Sequence, residues 1–512
     1  MSNILKQYTK FIFPFQYEKD AVDLKGVQIE NKKGVKQNVF EPISIHTESL
    51  RDGLDLMLSK DGGKSRIADC YRLNVNCRKH FSLPPKKTDT LTFCMRQAGA
   101  ESFDVRISEL QIYLFESQVG FIEVECEYLA SEIDTYMDLN YFICEAKSEK
   151  NQFVYHEKIW DEETKTSTLS DVSFSMSELL ERVLSAACKT PDAISFDYRK
   201  SKPVIYSHVL MDKKPENLEA LLPNIANNYK HSYKFDGSTT KIQSFHPFEN
   251  SYWTSSLNGA VNISFLSDDD VTNDFFTNNF YTKTKNTYFF LFLNVLHQRC
   301  AIIRVMGKMG NLDQLTNNYI VMEKELKLAR QYELEATSLK FRAFFNLPST
   351  VDHINEYYDR LYKSFQVGTL YSSFAADIEN LQSICGKYVD RINERDEKIK
   401  KRKVAKMEIF VSIFGVVVAE VSLFNNSWTL IEKVIGRSLH FYSPAILILF
   451  LTLLSPIITI TLSVSKTLTE IKALSKQLNV EKQDSLVEDD KKRWSNEKTI
   501  DRLRKKRSKR KH

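Results

Sequence analysis

The sequence has no C-x-x-C pair. Its eight cysteines, Cys70, Cys77, Cys94, Cys126, Cys144, Cys188, Cys300 and Cys385, are scattered, with no histidine partner at zinc-finger spacing. That spread fits free thiols in a reducing compartment better than a disulfide framework or a metal site. The ten histidines form no H-x-x-x-H or H-x-x-E-H arrangement. There is also no G-x-S-x-G, no H-E-x-x-H and no glycine-rich dinucleotide loop. Each of these would place a nucleophile, a metal or a pyrophosphate, and without them the chain reads as a non-enzyme. The opening stretch, MSNILKQYTKFIFPFQYEKD, has a short apolar patch broken by Pro14 and no small-residue cleavage site, so it does not read as a signal peptide. No internal repeat occurs, and low complexity is confined to the last residues.

What is present is length and asymmetry. At 512 residues the chain exceeds one compact core, so two or more folding units are expected. A mean hydropathy of -0.35 makes most of it water-soluble. The net charge of +5 divides unevenly, because residues 491–512 hold twelve Lys or Arg against Glu497 and Asp501, while the 490 residues before them hold 59 basic and 64 acidic. The body is mildly acidic and the tail is a polycation.

Two runs approach the roughly 20 residues that cross a bilayer core. One extends from Met407 to Phe424, and the other, SPAILILFLTLLSPIITITLSV, from Ser443 to Val464 without a charge. Lys398, Lys400, Lys401, Arg402, Lys403 and Lys406 precede the first, and Lys466, Lys472 and the basic tail follow the second. The positive-inside rule then puts both termini in the cytoplasm, with 425–442 as an external loop, and the cell inner membrane as the location. Pro456 would kink the second span, leaving a carbonyl that Thr459 or a neighbouring helix satisfies.

Ahead of the spans, CYRLNVNC (70–77), TLTFCMRQ (90–97), FDVRISELQIYLFES (103–117), GFIEVECEY (120–128) and KPVIYSHVLM (202–211) read as strands, mostly antiparallel. SMSELLERVLSAAC (175–188) and PENLEALLPNIANNYK (215–230) have helical spacing and capping-type starts. Residues 1–265 thus read as an α/β sensor-like domain. Strand signals end near 266. NTYFFLFLNVLHQRCAIIRVMGKMG (286–310) resembles a span, but Asn294, His297, Gln298, Arg299 and Arg304 interrupt it, and the cost of those groups in lipid points to a buried helix of a soluble bundle. A second helix over 312–345 ends at NLP, 346–348. The bundle is expected over 266–348 and a stalk helix over 349–406, interrupted near Gly368.

The stalk has the most regular pattern in the chain. Phe374, Ile378, Leu381, Cys385, Tyr388 and Ile392 recur at alternating four- and three-residue steps, a coiled-coil seam that requires a partner. No glycine or proline stands between Lys387 and Gly415. The helix is therefore expected to continue into the first span, on the order of 75 Å from Phe374 to Phe424 at about 1.5 Å per residue.

In that phase Val416 and Glu420 fall on the seam side, and Ser412, Gly415, Ala419, Ser422 and Asn426 form an adjacent stripe of small or polar residues. A straight helix drifts about 20° per heptad, so either stripe can face inward. A carboxylate in lipid costs about 2.5–3.5 kcal/mol on insertion scales. Glu420 is accommodated if it is solvated near the headgroups, paired with another helix, or arranged as a ring that concentrates cations.

The order of parts, an α/β domain, a helical bundle, a long stalk running into the first of two C-terminal spans, then basic residues, resembles the CorA-like superfamily of magnesium and divalent-cation transporters. The resemblance is strongest over 286–465. It implies a homo-oligomer, a pentamer, whose first span lines a pore gated by the cytoplasmic part, with a divalent cation such as Mg²⁺ as cargo. Pore-lining candidates are then Ser412, Gly415, Val416, Ala419, Glu420, Ser422, Asn425 and Asn426. Transporting members carry Gly-Met-Asn just after the first span. Here Leu423 to Trp428 read LFNNSW, which removes the basis for magnesium selectivity. A large cytoplasmic domain without that triplet is similar to the branch found in prokaryotic antiviral systems, including type III CRISPR loci. That likeness implies a channel opened by a nucleotide-type second messenger.

The fold expected is an α+β membrane protein: a cytoplasmic α/β domain, a helical bundle with a long stalk helix, and two C-terminal transmembrane helices. A divalent-cation transporter and a non-conducting membrane-anchored sensor or scaffold are the competing functions. In the tail over 465–512, Arg502, Arg504, Lys505, Lys506 and Arg507 are candidates for anionic lipid headgroups, at about 1 kcal/mol per residue, in preference to nucleic acid. KDGGKS (60–65) lacks the first glycine of a phosphate loop, having Leu58 there, and reads as a turn. Asp268, Asp269, Asp270 and Asp274 read as a helix cap before a cation site.

Overall fold

The computed structural model describes residues 2–435 except 19–20, 31–33, 46, 48, 52–66, 96–100, 146–150, 162–165, 189–193, 196–201, 234–243, 310–318 and 344–346. It is a mixed α+β protein. The chain divides into two compact units, Met1–Val389 and Asp390–His512. The expected α/β domain, the bundle and the first part of the stalk therefore share one unit.

The first unit is built on a 13-stranded sheet. At its centre β1 (Ile4–Tyr17) pairs antiparallel with β8 (Val119–Tyr128) on one side and with β12 (Val204–Met211) on the other. Beyond β8 lies β7 (Glu101–Phe115), whose two halves pair with β6 (Leu91–Met95) and β5 (Ala68–Leu73). Beyond β12 lies β15 (Gly259–Phe265), paired in parallel, then β14 (Ser251–Ser256) and β13 (Phe245–Phe248). Strands β9 (Asn151–Asp161) and β10 (Thr166–Phe174) extend the sheet past β6, while the short β4 (Phe40–Pro42) and β11 (Ile194–Ser195) join β5 and β1. A separate ribbon pairs β2 (Gln28–Glu30) with β3 (Lys36–Asn38).

The stretch at the N-terminus that reads as a broken apolar patch is thus the central strand, and Pro14 sits within it. Strand β1 is apolar on both faces because both are covered: Phe11, Phe13 and Phe15 enter one buried cluster, and Tyr8 and Ile12 the other.

Three short helices cover the first face: Ile133–Cys144, Met176–Ala187 and Leu218–Ala226. The second begins as the sequence predicts, with Ser175 and Glu178 forming a reciprocal capping box. The other face carries a core helix, Asp270–Met309, 40 residues long. Its start is also as expected, since the Asp269 side chain accepts from the Thr272 amide at 2.9 Å. Among the described residues this is the one helix long and apolar enough to cross a membrane, yet 78% of its apolar window is buried in the protein. Phe289 to Leu293 are all buried. A helix apolar on every side needs cover on every side, and here the sheet supplies one wall and the helices Tyr319–Ala343 and Asp352–Ser364 pack on it as well.

The last described helix runs from Val367 to Ile435. It is separated from Asp352–Ser364 at Gln366, which takes φ +55°, close to the break expected at Gly368. The seam residues Phe374, Leu381, Cys385 and Tyr388 are buried inside the chain. The Gln382 amide donates to Glu333 Oε1 at 2.8 Å, so Tyr319–Ala343 lies against this part of the seam. A partner from another subunit is not required there.

The stretch expected as a loop from 425 is helical as far as Ile435. Its sequence has no breaker before Gly436, and Trp428, Ile431 and Ile435 continue the apolar period. The second span, 443–464, and the tail residues Arg502, Arg504, Lys505, Lys506 and Arg507 lie outside the described residues, as does KDGGKS.

Candidate functional site

A cavity of about 430 Å³ opens between β1, β7, β8 and the core helix. Strand alternation sets its chemistry. In β8 the residues Ile122, Val124 and Cys126 point to one buried cluster, so Glu123, Glu125 and Glu127 share the other face. Lys10 of β1 arrives by the same rule: Phe11 turns into the first cluster, and Lys10 shares the opposite face with Tyr8 and Ile12. On the core helix, Thr284–Tyr288 is π-helical. A π turn inserts a residue into the helical ladder and commonly marks a functional site, and Lys285 lies within it.

These residues form one chain of alternating charge, buried at Lys10, Glu123 and Glu125 and partly exposed at Lys285 and Glu127. Tyr113 donates its hydroxyl to Glu123 at 2.5 Å, and Glu123 pairs with the Lys10 ammonium. Lys10 also reaches Glu125 at 3.0 Å, Glu125 accepts from Lys285 at 2.7 Å, and Lys285 lies 3.9 Å from Glu127. Ser108 donates a further bond to Glu125 at 2.8 Å. Both cations also lie over aromatic rings, Lys10 at 4.3 Å from the Phe289 centroid and Lys285 at 4.7 Å from that of Tyr8.

Burial acts against every charge here, and the neighbours decide which groups keep theirs. Burial opposes ionisation of Glu125, but Lys10 and Lys285 outweigh it and hold its carboxyl at about 2. Burial likewise opposes the charge of Lys10, which Glu123 and Glu125 nevertheless raise above its ordinary value. Glu123 has fewer cations: burial raises it, and Lys10 recovers only part of the cost. Burial also works against the charge of Lys285, which Glu125 and Tyr281 overcome, so it too is raised. A paired network at the wall of an open cavity is what a polar ligand can engage by exchanging partners. Arg72, Lys87 and Glu109 stand at the same cavity, so the wall offers both donors and acceptors.

The core helix joins this cavity to the root of the last helix. Phe289, which lines the cavity, stacks on Phe292 at 6.3 Å, and Phe292 meets Phe365 edge-on at 5.6 Å. Arg299 donates to the Phe365 carbonyl at 2.6 Å. Phe365 directly precedes the left-handed Gln366 from which Val367–Ile435 departs.

The residues singled out from the sequence lie elsewhere. Ser412, Gly415, Ala419, Ser422 and Asn426 fall on one face of the last helix, as their three- and four-residue steps require. Ser412, Gly415, Val416, Ala419, Ser422 and Asn426 are exposed. Glu420 and Asn425 are helical in backbone, their side chains lying outside the description. Asn425 and Asn426 stand within a helix, not at the start of a loop. Around them Met407, Phe410, Val411 and Phe414 are each more than 60% exposed. The cavity residues were missed, although GFIEVECEY holds a signal: carboxylates at every second position of an apolar strand place three acids on one face. No protein-family model matches the chain, and no curated protein matches it.

Proposed function

We propose that the chain is a ligand-gated membrane protein of CorA-like layout, multi-pass in the inner membrane with both termini cytoplasmic. A small polar ligand, of the nucleotide second-messenger type, enters the cavity at Lys10, Glu125 and Lys285. One observation carries the reading: a single helix provides both the cavity wall, at Lys285 and Phe289, and the clamp on Phe365, at Phe292 and Arg299. A ligand that takes a partner from Lys285 shifts this helix against the sheet, and the shift reaches Val367–Ile435 through Phe365. It acts only to the extent that it binds the two positions unequally.

The exposed apolar band from Met407 supports insertion of the first span. Such a band has no favourable place in water. In the inserted oligomer, a pentamer, Ser412, Gly415, Ala419, Glu420 and Ser422 would line the pore, with a role in antiviral defence through membrane permeabilisation. The burial of the seam within the chain favours a second reading, a monomeric non-conducting sensor anchored by its hairpin, because the stalk then needs no partner subunit.

Ion flux in liposomes containing the purified full chain tests both, comparing Mg²⁺ with K⁺, with and without a panel of nucleotide messengers. Messenger-dependent flux that Arg299→Met abolishes supports gating through the clamp. Constitutive divalent flux makes the protein a transporter. Absence of flux beside a working control channel leaves the anchored sensor.

A further inference from the structure

The helix Val367–Ile435 changes character twice in its second half. Residues 390–397 hold Asp390, Glu394, Asp396 and Glu397 against Arg391 and Arg395, whereas 398–406, KIKKRKVAK, hold six basic residues and no acidic one. Every side chain from Lys398 to Lys406 is exposed. At Met407 the basic run stops and the apolar surface begins, with Glu408 the one charge from there to Ala419.

Both surfaces surround the helix. Successive residues turn by about 100° and rise by about 1.5 Å, so Lys398, Arg402 and Lys406 fall on one side of the axis, Lys400 and Lys403 on the opposite side, and Lys401 between them. A helix that docks on one protein partner presents a single stripe, and this charge has none. The apolar surface behaves alike. Met407, Phe410, Val411 and Phe414 are each more than 60% exposed, and Val416, Val417 and Val418, one step of rotation apart, are each at least 40% exposed.

The spacing fits a membrane interface. Half the difference between a bilayer's full thickness and its hydrocarbon core gives a headgroup layer of about 5–8 Å. Arg402 precedes Met407 by about 7.5 Å along the axis, so Arg402, Lys403 and Lys406 stand at headgroup depth when Met407 sits at the hydrocarbon edge. Lys398, Lys400 and Lys401 follow within about 6 Å more, inside a Debye length of about 8–10 Å. The acidic block lies beyond them, away from the surface. It neutralises little of the charge, since Lys401 meets Glu397 at 3.8 Å with both side chains largely exposed.

We propose, on the reading that the run from Met407 is inserted, that Lys398–Lys406 is a lipid-binding collar, which gathers anionic phospholipid headgroups of the leaflet the helix enters. Topology alone needs only an excess of basic residues on that side. A collar needs more: charge on every side of the axis, a position at headgroup depth, and no carboxylate within its span. All three hold here, and a basic cluster of this size beside a span is the pattern that attracts anionic lipid.

The test is reconstitution of the full chain into vesicles of equal parts phosphatidylglycerol and phosphatidylcholine with the same acyl chains, followed by extraction in mild detergent and mass spectrometry of the lipids that stay bound. Phosphatidylglycerol is expected to be enriched about fivefold, the factor for one basic residue near the surface. In Lys400→Gln/Lys403→Gln/Lys406→Gln, which leaves the Lys401–Glu397 pair in place, the ratio is expected to fall toward one. Washing the loaded vesicles with alkaline carbonate separates this proposal from the insertion it rests on. A chain that resists the wash yet retains both lipids equally overturns the collar alone, and its basic residues then serve topology only. A chain that the wash removes overturns insertion and collar together. Enrichment that survives the triple substitution and disappears when Arg502, Arg504, Lys505, Lys506 and Arg507 are replaced by Gln belongs to the tail, and it too overturns the proposal.

Discussion

Lys10 and Glu125 meet at 3.0 Å with almost no access to water, on adjacent strands whose pairing sets Lys10 directly opposite Glu125. Neither charge would remain buried alone. Lys10→Met leaves Glu123 buried without its cation while Glu125 keeps Lys285, and the expected loss is about 3–5 kcal/mol. Thermal unfolding of the full chain in detergent reads it, and an unchanged midpoint would mean that the network is hydrated in solution.

Acid should weaken the first unit in two stages. His208 and His297, kept neutral by burial, have pKa values of about 3 against an ordinary 6.5. The unfolded chain binds their protons first, so stability falls as pH drops below 6.5, by up to about 1.4 kcal/mol per pH unit for each. Glu125 is depressed from 4.5 to about 2. Its contribution is full above pH 4.5 and is lost as pH falls toward 2, on the order of 3 kcal/mol; Glu123, raised by burial, works in the opposite sense. The two histidines go on contributing down to about pH 3, so in Glu125→Gln the pH profile of the unfolding midpoint should become shallower below 4.5, by the share of one group, and keep the part above it.

Gly259 opens β15 opposite Ile205, and a Cβ there would stand 2.4 Å from the Ile205 carbonyl oxygen. The obstacle is backbone in the middle of a sheet and cannot turn aside. Gly259→Ala should cost about 1–3 kcal/mol, read in the same unfolding assay; wild-type stability would show that the parallel pairing tolerates a shift.

Glu420→Ala tests the proposed pore. If copies of Glu420 gather cations, the substitution lowers cation flux while the unfolding midpoint of the first unit, in which it has no part, stays where it was. Equal flux in both proteins would remove Glu420 from the conduction path.

Gln366 holds φ +55° at the joint between two helices, a conformation that favours glycine. Gln366→Gly should leave stability equal or higher by about 1 kcal/mol, and a clear loss would show that the Gln366 side chain matters more than its backbone.

Much of the fold was legible because it is local. The capping box at Ser175 and Glu178, the Asp269 cap, strands β6, β7, β8 and β12, and the unbroken helix through Lys387 to Gly415 each follow from residues a few positions apart. The candidate site was not legible in the same way. Its ion pairs join positions 10, 123, 125 and 285, and no spacing along the chain announces that a lysine in an N-terminal strand will lie opposite two glutamates. Only the alternation in GFIEVECEY hinted that three acids share a face.

By itself, then, the sequence determined several of the strands and helices and where some of them start, and it marked an apolar run from Met407 to Phe424; it did not announce the central strand β1 or the helix Ile133–Cys144. Tertiary structure decided what each apolar face meets. Phe289–Met309 and Met407–Phe424 are similar as strings, yet the first is buried beneath a sheet while the described side chains of the second, from Met407 to Ala419, are largely uncovered. It also decided that Phe374 to Tyr388 find cover within their own chain. Hydrophobic burial is non-directional, so a sequence states that a face must be covered, and only the assembled chain states by what.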